Sequence, residues 1–465
     1  MTDLAPFSSL AAAATHPDPA FPRFHPRPAQ GWINDPNGVS YINGRYHVFF
    51  QYNPHSARHT LIHWGHLSSA DLVHWEEHPV ALSPQEGGPD SAGCWTGVVT
   101  SDDGVPTAAY SGIQDYDGHS QVVIARGSSD LVSWEQDGHV AASMPADPLV
   151  TAVRDPFIFR FNGARYAMQG AGLADGRAAL LLYTVDSLDD WKYQGIWLTT
   201  ADPVAALHTP AEIWECPQLV QVSSGEWVMM FSLWLSGDDH EHANGVGHLI
   251  GSLTADPETG LPVFVPEGGG KSDLGRDFYA PQIAQLSYGS ADSAPAALLW
   301  GWANEGPGRD GRRGRTQEEI DDAGWSGVLT HPRVLSVVDG ALAVSPAPEV
   351  SAYRGASVAA GAAGSVVVPA FAEVLVRGAG SGDESVVSSA VELTLGSGSG
   401  AQLVYSGSLA AGEELRIFID ASLVEVYRPG SVATTLRAYP APDEEWQLTL
   451  PAGATADVWE LTLPA

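Results

Sequence analysis

Acidic residues are plentiful in this chain, so one Asp or Glu on its own carries no information. Three of them, however, stand at matching distances ahead of a recurring turn. Asp35 precedes Gly44 by 9 residues, Asp155 precedes Gly163 by 8, and Glu215 precedes Gly225 by 10. The same place in three repeats of one structural unit would bring all three carboxylates to a common pocket. Crowding carboxylates in a partly desolvated cleft raises the pKa of at least one, so a protonated acid can stand beside an ionised nucleophile. Cleavage of a glycosidic bond with retention needs such a pair, ~5–5.5 Å apart.

The neighbours of each acid suit that chemistry. Trp32-Ile33-Asn34-Asp35-Pro36-Asn37-Gly38 sets an Asp between two carboxamides, which can donate to and accept from sugar hydroxyls at once. In Arg154-Asp155-Pro156 a cation beside the carboxylate would hold it ionised, fitting Asp155 for hydroxyl binding and charge stabilisation. In Trp214-Glu215-Cys216-Pro217 apolar neighbours on both sides would desolvate Glu215, making it the better acid. Trp64, Trp95, Tyr279 and Trp302 offer flat apolar faces of the kind that pack on sugar rings, or equally the buried residues of a sheet.

The elements that must carry these residues are strands. Strand-like runs follow the turns at Asn43–Phe50, Gly104–Tyr110, Asn162–Met168 and Gly225–Phe231, and a fifth covers Ala296–Trp302. The turn glycines 44, 104, 163 and 225 are spaced by 60, 59 and 62 residues, room for one four-stranded blade per step. Five strand signals predict a five-bladed β-propeller over residues 22–338, with the acids on the innermost strands facing the axis. From about Gly340 the texture changes to small residues and turns, read as a linker over 339–354. Alternating strands then predict a C-terminal β-sandwich over 355–465, giving an all-β protein of two domains.

At these residues the chain resembles family 32 of the glycoside hydrolases, which includes invertases, levanases and exo-inulinases. The resemblance runs from about His25 to the C-terminus and is carried by Trp32–Gly38, Arg154–Pro156 and Glu215–Pro217. Supporting matches are Phe50–Pro54, Trp64–His66, Asp71–Trp75, Asp277–Ala280, Gly324-Trp325 and Phe418–Tyr427. It implies the same two-domain architecture, with Asp35 as nucleophile, Asp155 as stabiliser and Glu215 as acid/base. Asn34, Gln51, Arg154 and Tyr279 would line the fructose subsite. The chain departs from the family at His59, where many members carry Trp, and at Trp95-Thr96-Gly97, where Phe-Ser-Gly is usual; both departures fall near the sugar pocket.

Composition narrows the alternatives. With 22 Lys+Arg against 55 Asp+Glu the formal net charge is −33, which argues against binding nucleic acid and leaves a neutral ligand unrepelled. No apolar run approaches the ~20 residues of a membrane span. Cys94 and Cys216 are too few for a disulfide framework, and Met1–Ala14 lacks the basic start of a secretory signal, so a cytoplasmic protein is expected. The histidine groups His59, His63, His66 and His240, His242, His248 could suggest a metal. The chemistry above needs no metal or cofactor, and they are read as surface or pocket-lining residues. A fructoside substrate is the expected partner: sucrose and its relatives, or β-fructan chains taken from the end. A carbohydrate-binding propeller without catalysis and a scaffold for protein partners remain as readings of another class, although neither explains three carboxylates at matching distances.

Overall fold

The computed structural model describes residues 10–237, 244–284, 297–305, 310, 312–379 and 390–464. Five antiparallel sheets follow one another along the chain, each built from successive strands joined by tight turns. The first contains Gly31–Ile42, Arg45–Asn53, His63–Ser69 and Trp75–Leu82; the third contains Val150–Phe161, Ala164–Leu173, Ala178–Ser187 and Asp190–Thr199. The second strands begin beside Gly44, Gly104, Gly163 and Gly225, all at positive φ, so the turn spacing marks the blades.

The innermost strands are Gly31–Ile42, Gly93–Asp102, Val150–Phe161, Ile213–Gln221 and Phe278–Ile283. Each packs against the next, and the fifth against the first, closing a ring. Closure is reinforced where Trp325-Ser326 pairs in parallel with Gly31-Trp32. There Arg27 Nη1 donates to Ser326 O at 2.9 Å and Nη2 to Gly31 O at 2.9 Å. Gly327 is required at this crossing: its φ is 74°, and a Cβ would lie 1.9 Å from Ile33 O.

The fifth sheet extends further than the sequence suggested. Ala341–Pro346, inside the expected 339–354 linker, pairs residue for residue with Arg333–Val338 and forms the outer strand of the last blade. Its small residues were taken for linker texture, but Leu342, Ala343 and Val344 are buried against the blade. A short 3₁₀ helix, Pro348–Tyr353, then leads to the C-terminal sheets.

In the C-terminal region the long strands Arg354–Val368 and Trp446–Leu461 run through both layers. The first half of Trp446–Leu461 pairs with Ala390–Leu395 and the second half with Phe371–Arg377, so one bent strand joins the two faces of a sandwich. Alternating Val374, Leu393, Ile417, Leu448 and Val458 fill the space between them. No helix among the described residues is long and apolar enough to cross a membrane.

Candidate functional site

All five innermost strands lose register with their second strand at the same depth. The breaks lie between Ile33 and Pro36, Cys94 and Gly97, Arg154 and Phe157, Glu215 and Gln218, and Tyr279 and Gln282. Three breaks carry a left-handed residue followed by proline: Asp155 (φ 61°), Cys216 (φ 49°) and Ala280 (φ 49°). Proline donates nothing to a ladder and is at home in a bulge, and left-handed non-glycine residues are strained positions that concentrate at working sites. Small partners accommodate the bulges. Asp155 N donates to Ser111 Oγ and Ala280 N to Ser232 Oγ, each at 2.8 Å, while a Cβ on Gly170 would lie 1.9 Å from Trp214 O.

This bulge refines the placement of the three acids. They do not share one position, as their turn distances implied, but occupy three successive positions of the same break. Glu215 stands before it, as Arg154 and Tyr279 do; Asp155 is the first residue within it, as Asn34 and Cys216 are; Asp35 is the second, as Thr96 is. A regular strand would send neighbours such as Arg154 and Asp155 to opposite faces. The bulge lets both face the next blade, Arg154 reaching Glu215 and Asp155 reaching its neighbour Cys216.

Asp35 is held by four donors. Thr96 Oγ1 at 2.5 Å, Gln51 Nε2 at 3.2 Å and Cys216 Sγ at 3.4 Å meet its Oδ2, and Asn34 Nδ2 meets Oδ1 at 3.1 Å. Asp155 Oδ2 accepts from Cys216 N at 2.8 Å, and the Cys216 thiol lies 3.6 Å from it. One sulfur thus touches both aspartates. Glu215 receives Arg154 Nε at 2.7 Å and Tyr279 Oη at 2.6 Å. Asp35 and Glu215 keep some solvent exposure, whereas Asp155 is only 4% exposed.

The Arg154 contact corrects an expectation. This guanidinium pairs with Glu215 rather than with its sequence neighbour Asp155. Burial and the charge of Glu215 push the Asp155 carboxyl upward, with Arg154 only partly opposing them. Burial also raises Asp35 to about 6, against the pull of its hydrogen bonds. Nor does Trp214 shield the Glu215 carboxyl. It points into the blade, fully buried and stacked on Phe231 at 4.4 Å, as strand alternation dictates. Burial of the two aspartates beside a third carboxylate therefore favours their protonated forms.

The structure gathers Asn34, Gln51, Thr96, Arg154 and Tyr279 around the acids. Trp302 is buried, 3% exposed, and packs with Trp32, Tyr279 and Cys216. Trp95 is part-exposed at the wall between His59 and Tyr116. Trp64 is a correction: it is fully buried in the first blade between Phe49 and Tyr110 and offers no face to a ligand. Its role is indirect, since its indole N–H donates to Trp95 O at 3.0 Å. Two further residues join the site. Cys216 was legible only as a member of its motif, and His59 as a departure from the family pattern and as one of a histidine group read as surface or pocket-lining.

The remaining histidines do other things. His63 and His66 are buried within the first blade rather than at the surface, His66 stacking on Phe49 at 4.1 Å and on His78 at 4.4 Å. His248 is also buried, and His240 and His242 lie outside the described residues. Among the described residues one trio, His25, His331 and Glu425, brings possible metal-ligand atoms within 4.8 Å of one another. Its imidazoles are stacked with centroids 3.6 Å apart, so their in-plane lone pairs run side by side rather than converging. Glu425 is already held by Arg333 and Tyr427. The trio is a packed junction between the propeller and the sandwich.

The family model for the glycosyl hydrolases family 32 N-terminal domain matches residues 25–346, ending on the last residue of the fifth blade. A sucrose-6-phosphate hydrolase of Zymomonas mobilis is 31% identical over 350 residues, covering 72% of this chain and 63% of that protein. A raffinose invertase of Escherichia coli is 32% identical over 344 residues, covering 72% and 66%. The matched stretch is therefore less than two thirds of either relative. Among solved structures, a β-fructofuranosidase of the silkworm Bombyx mori superposes with a TM-score of 0.77 at 23% identity over 98% of this chain and 97% of that one, which supports the fold. A variant of that silkworm protein is described in complex with sucrose.

Proposed function

Because the chain belongs to glycosyl hydrolase family 32, we propose that it is a retaining β-fructofuranosidase that releases terminal non-reducing β-D-fructofuranosyl units from sucrose and related fructosides. The observation that carries this reading is the arrangement at the axis: two part-exposed carboxylates, Asp35 and Glu215, a third that is buried, Asp155, and Arg154 paired with Glu215. In this reading Asp35 attacks the anomeric carbon. Its four donors keep the attacking carboxylate oriented, and burial keeps it poorly hydrated and reactive. Glu215 gives a proton to the leaving oxygen and then takes one from water, while Arg154 and Tyr279 fix its carboxyl in one place. Asp155 lies too deep for either task and suits binding fructose hydroxyls beneath the charge that develops on the ring. Every step is carried by side chains of this chain.

Sucrose is preferred to its 6-phosphate on electrostatic grounds. The chain carries −33, and Arg58, a cation on the loop beside the pocket, is already paired with Asp321. Exo-acting cleavage of levan or inulin is the alternative within the same chemistry. The free, buried thiols Cys94 and Cys216, the second touching two catalytic carboxylates, fit a reducing cytoplasm. Initial rates of the pure protein on sucrose, sucrose 6-phosphate, raffinose, inulin and levan test these choices together. Sucrose turning over fastest agrees with the proposal, and binding of sugars without turnover would leave a non-catalytic propeller.

A further inference from the structure

His59 sits on the loop that follows the second strand of the first blade, and that loop is held in shape from below. Asn53 Nδ2 donates to Ser56 Oγ at 3.0 Å, Arg58 O at 2.9 Å and Thr60 Oγ1 at 3.1 Å, and Trp32 N donates to Ser56 O at 3.0 Å. The imidazole is packed between two indoles, with centroids 5.9 Å from Trp32 and 5.7 Å from Trp95. Its Nε2 lies 3.2 Å from Gln51 Oε1.

The Gln51 amide has a fixed sense. Its nitrogen donates to Thr96 Oγ1 at 2.8 Å and to Asp35 Oδ2 at 3.2 Å, using both of its hydrogens. Thr96 then spends its own hydroxyl hydrogen on Asp35. A rotated amide would turn its carbonyl toward the Asp35 carboxylate, acceptor against acceptor. With the amide in this sense its carbonyl faces His59, which sets the His59 tautomer with its hydrogen on Nε2 and makes that N–H a further hold on the orientation seen.

We propose that His59 is a positioning residue for the nucleophile, holding the Gln51 amide so that it and Thr96 both donate to Asp35. The inference rests on the fructosidase reading above and adds to it a specific requirement at position 59. Burial pushes the imidazole down to about 4, so it serves as a neutral donor throughout the working range. Asp35 is also faced by Asp155 of the third blade and by Glu215 and Cys216 of the fourth, with Arg154 and Tyr279 next to Glu215. All of these stay in place when residue 59 changes.

His59→Phe keeps a ring between the two indoles and removes the donor. The Gln51 carbonyl then loses its donor and the amide is held less firmly, so its hydrogen bond to the ionised form of Asp35 weakens and the Asp35 pKa rises. The acid limb of kcat/KM on sucrose should move up by about half to one pH unit, while the basic limb stays where it is. His59→Gln, which restores an N–H, should bring the limb back. In a Gln51→Ala background, itself costly to activity, His59→Phe should shift the limb no further. An unmoved acid limb in His59→Phe, or a shift that persists at full size without Gln51, would overturn the proposal. If His59→Phe does not fold, the His59→Gln and His59→Ala pair makes the same comparison. Failure of the wild-type protein to turn over sucrose or any other fructoside would instead overturn the fructosidase reading.

Discussion

The protein buries two groups of charged side chains, and they are built on opposite plans. At the propeller axis Asp35, Asp155 and Glu215 share one cation among the described residues, Arg154. At the junction between propeller and sandwich the numbers match. Arg333 meets Asp273 at 2.8 Å and Glu425 at 2.5 Å, His25 meets Asp420 at 2.7 Å, Arg312 meets Asp277 at 2.5 Å, and Arg315 and Arg437 meet Glu305 at 3.1 and 3.2 Å. The pKa values follow the plan. Glu305 falls to about 2 and Glu425 well below its ordinary value because their arginine and histidine partners outweigh burial; at the axis burial wins and both aspartates rise. Asp273 is the exception at the junction, raised by burial despite Arg333. Balanced buried charge holds parts together, and unbalanced buried charge keeps a proton and a nucleophile available.

This contrast predicts which losses damage chemistry and which damage the fold. The largest effect belongs to Asp35→Ala. Single-turnover release of glucose from sucrose should fall by at least about 10⁴-fold, with the melting temperature unchanged or higher because a crowded charge has gone. A large fall in melting temperature would mean that the axial group is structural after all. Arg333→Ala should do the reverse, leaving Glu425 and Asp273 buried without their partner. Urea unfolding should show a loss of about 3–5 kcal/mol, with activity per folded molecule kept, and a stable but inactive variant would break the distinction. Asp155→Asn should slow both formation and breakdown of the fructosyl-enzyme by about 10²–10³ and leave stability in place.

The smallest effect is a difference in pH response. Asp35 is raised in the folded state, so its contribution to stability is fully present below pH ~4 and is lost as pH rises through about 6. Glu305 and Glu425 are lowered, so theirs is present above pH ~4.5 and is lost as acid approaches their folded values. Thermal unfolding of Asp35→Asn against wild type should therefore show a larger relative gain at pH 7 than at pH 4, and equal differences at both would contradict the raised value.

The blade count and the three acids were legible because turn glycines and short motifs leave local marks in the sequence. What lay hidden was register. Nothing in Arg154-Asp155-Pro156 says that a bulge turns the arginine toward Glu215 on another blade, since a bulge belongs to the pairing of two strands. Trp64 was misplaced for a related reason: an aromatic on a strand suits either face, and only the ladder shows that this one points into the blade. The outer strand Ala341–Pro346 passed for linker because its small residues carry little strand signal until Arg333–Val338 pairs with them. The junction arginine Arg333 went unnoticed for the opposite reason, because its partners stand 60 and 92 residues away.

The central claim is that the excess charge at the axis serves fructosyl transfer, with Asp35 as nucleophile above a buried Asp155. It is tested most directly by supplying azide to Asp35→Ala and Asp155→Asn in the presence of sucrose and identifying the product by NMR. With its nucleophile gone, Asp35→Ala should regain turnover and yield a fructosyl azide of inverted configuration, while Asp155→Asn should gain nothing. Rescue of Asp155→Asn with Asp35→Ala left inert would reverse the two assignments and remove the basis of the account.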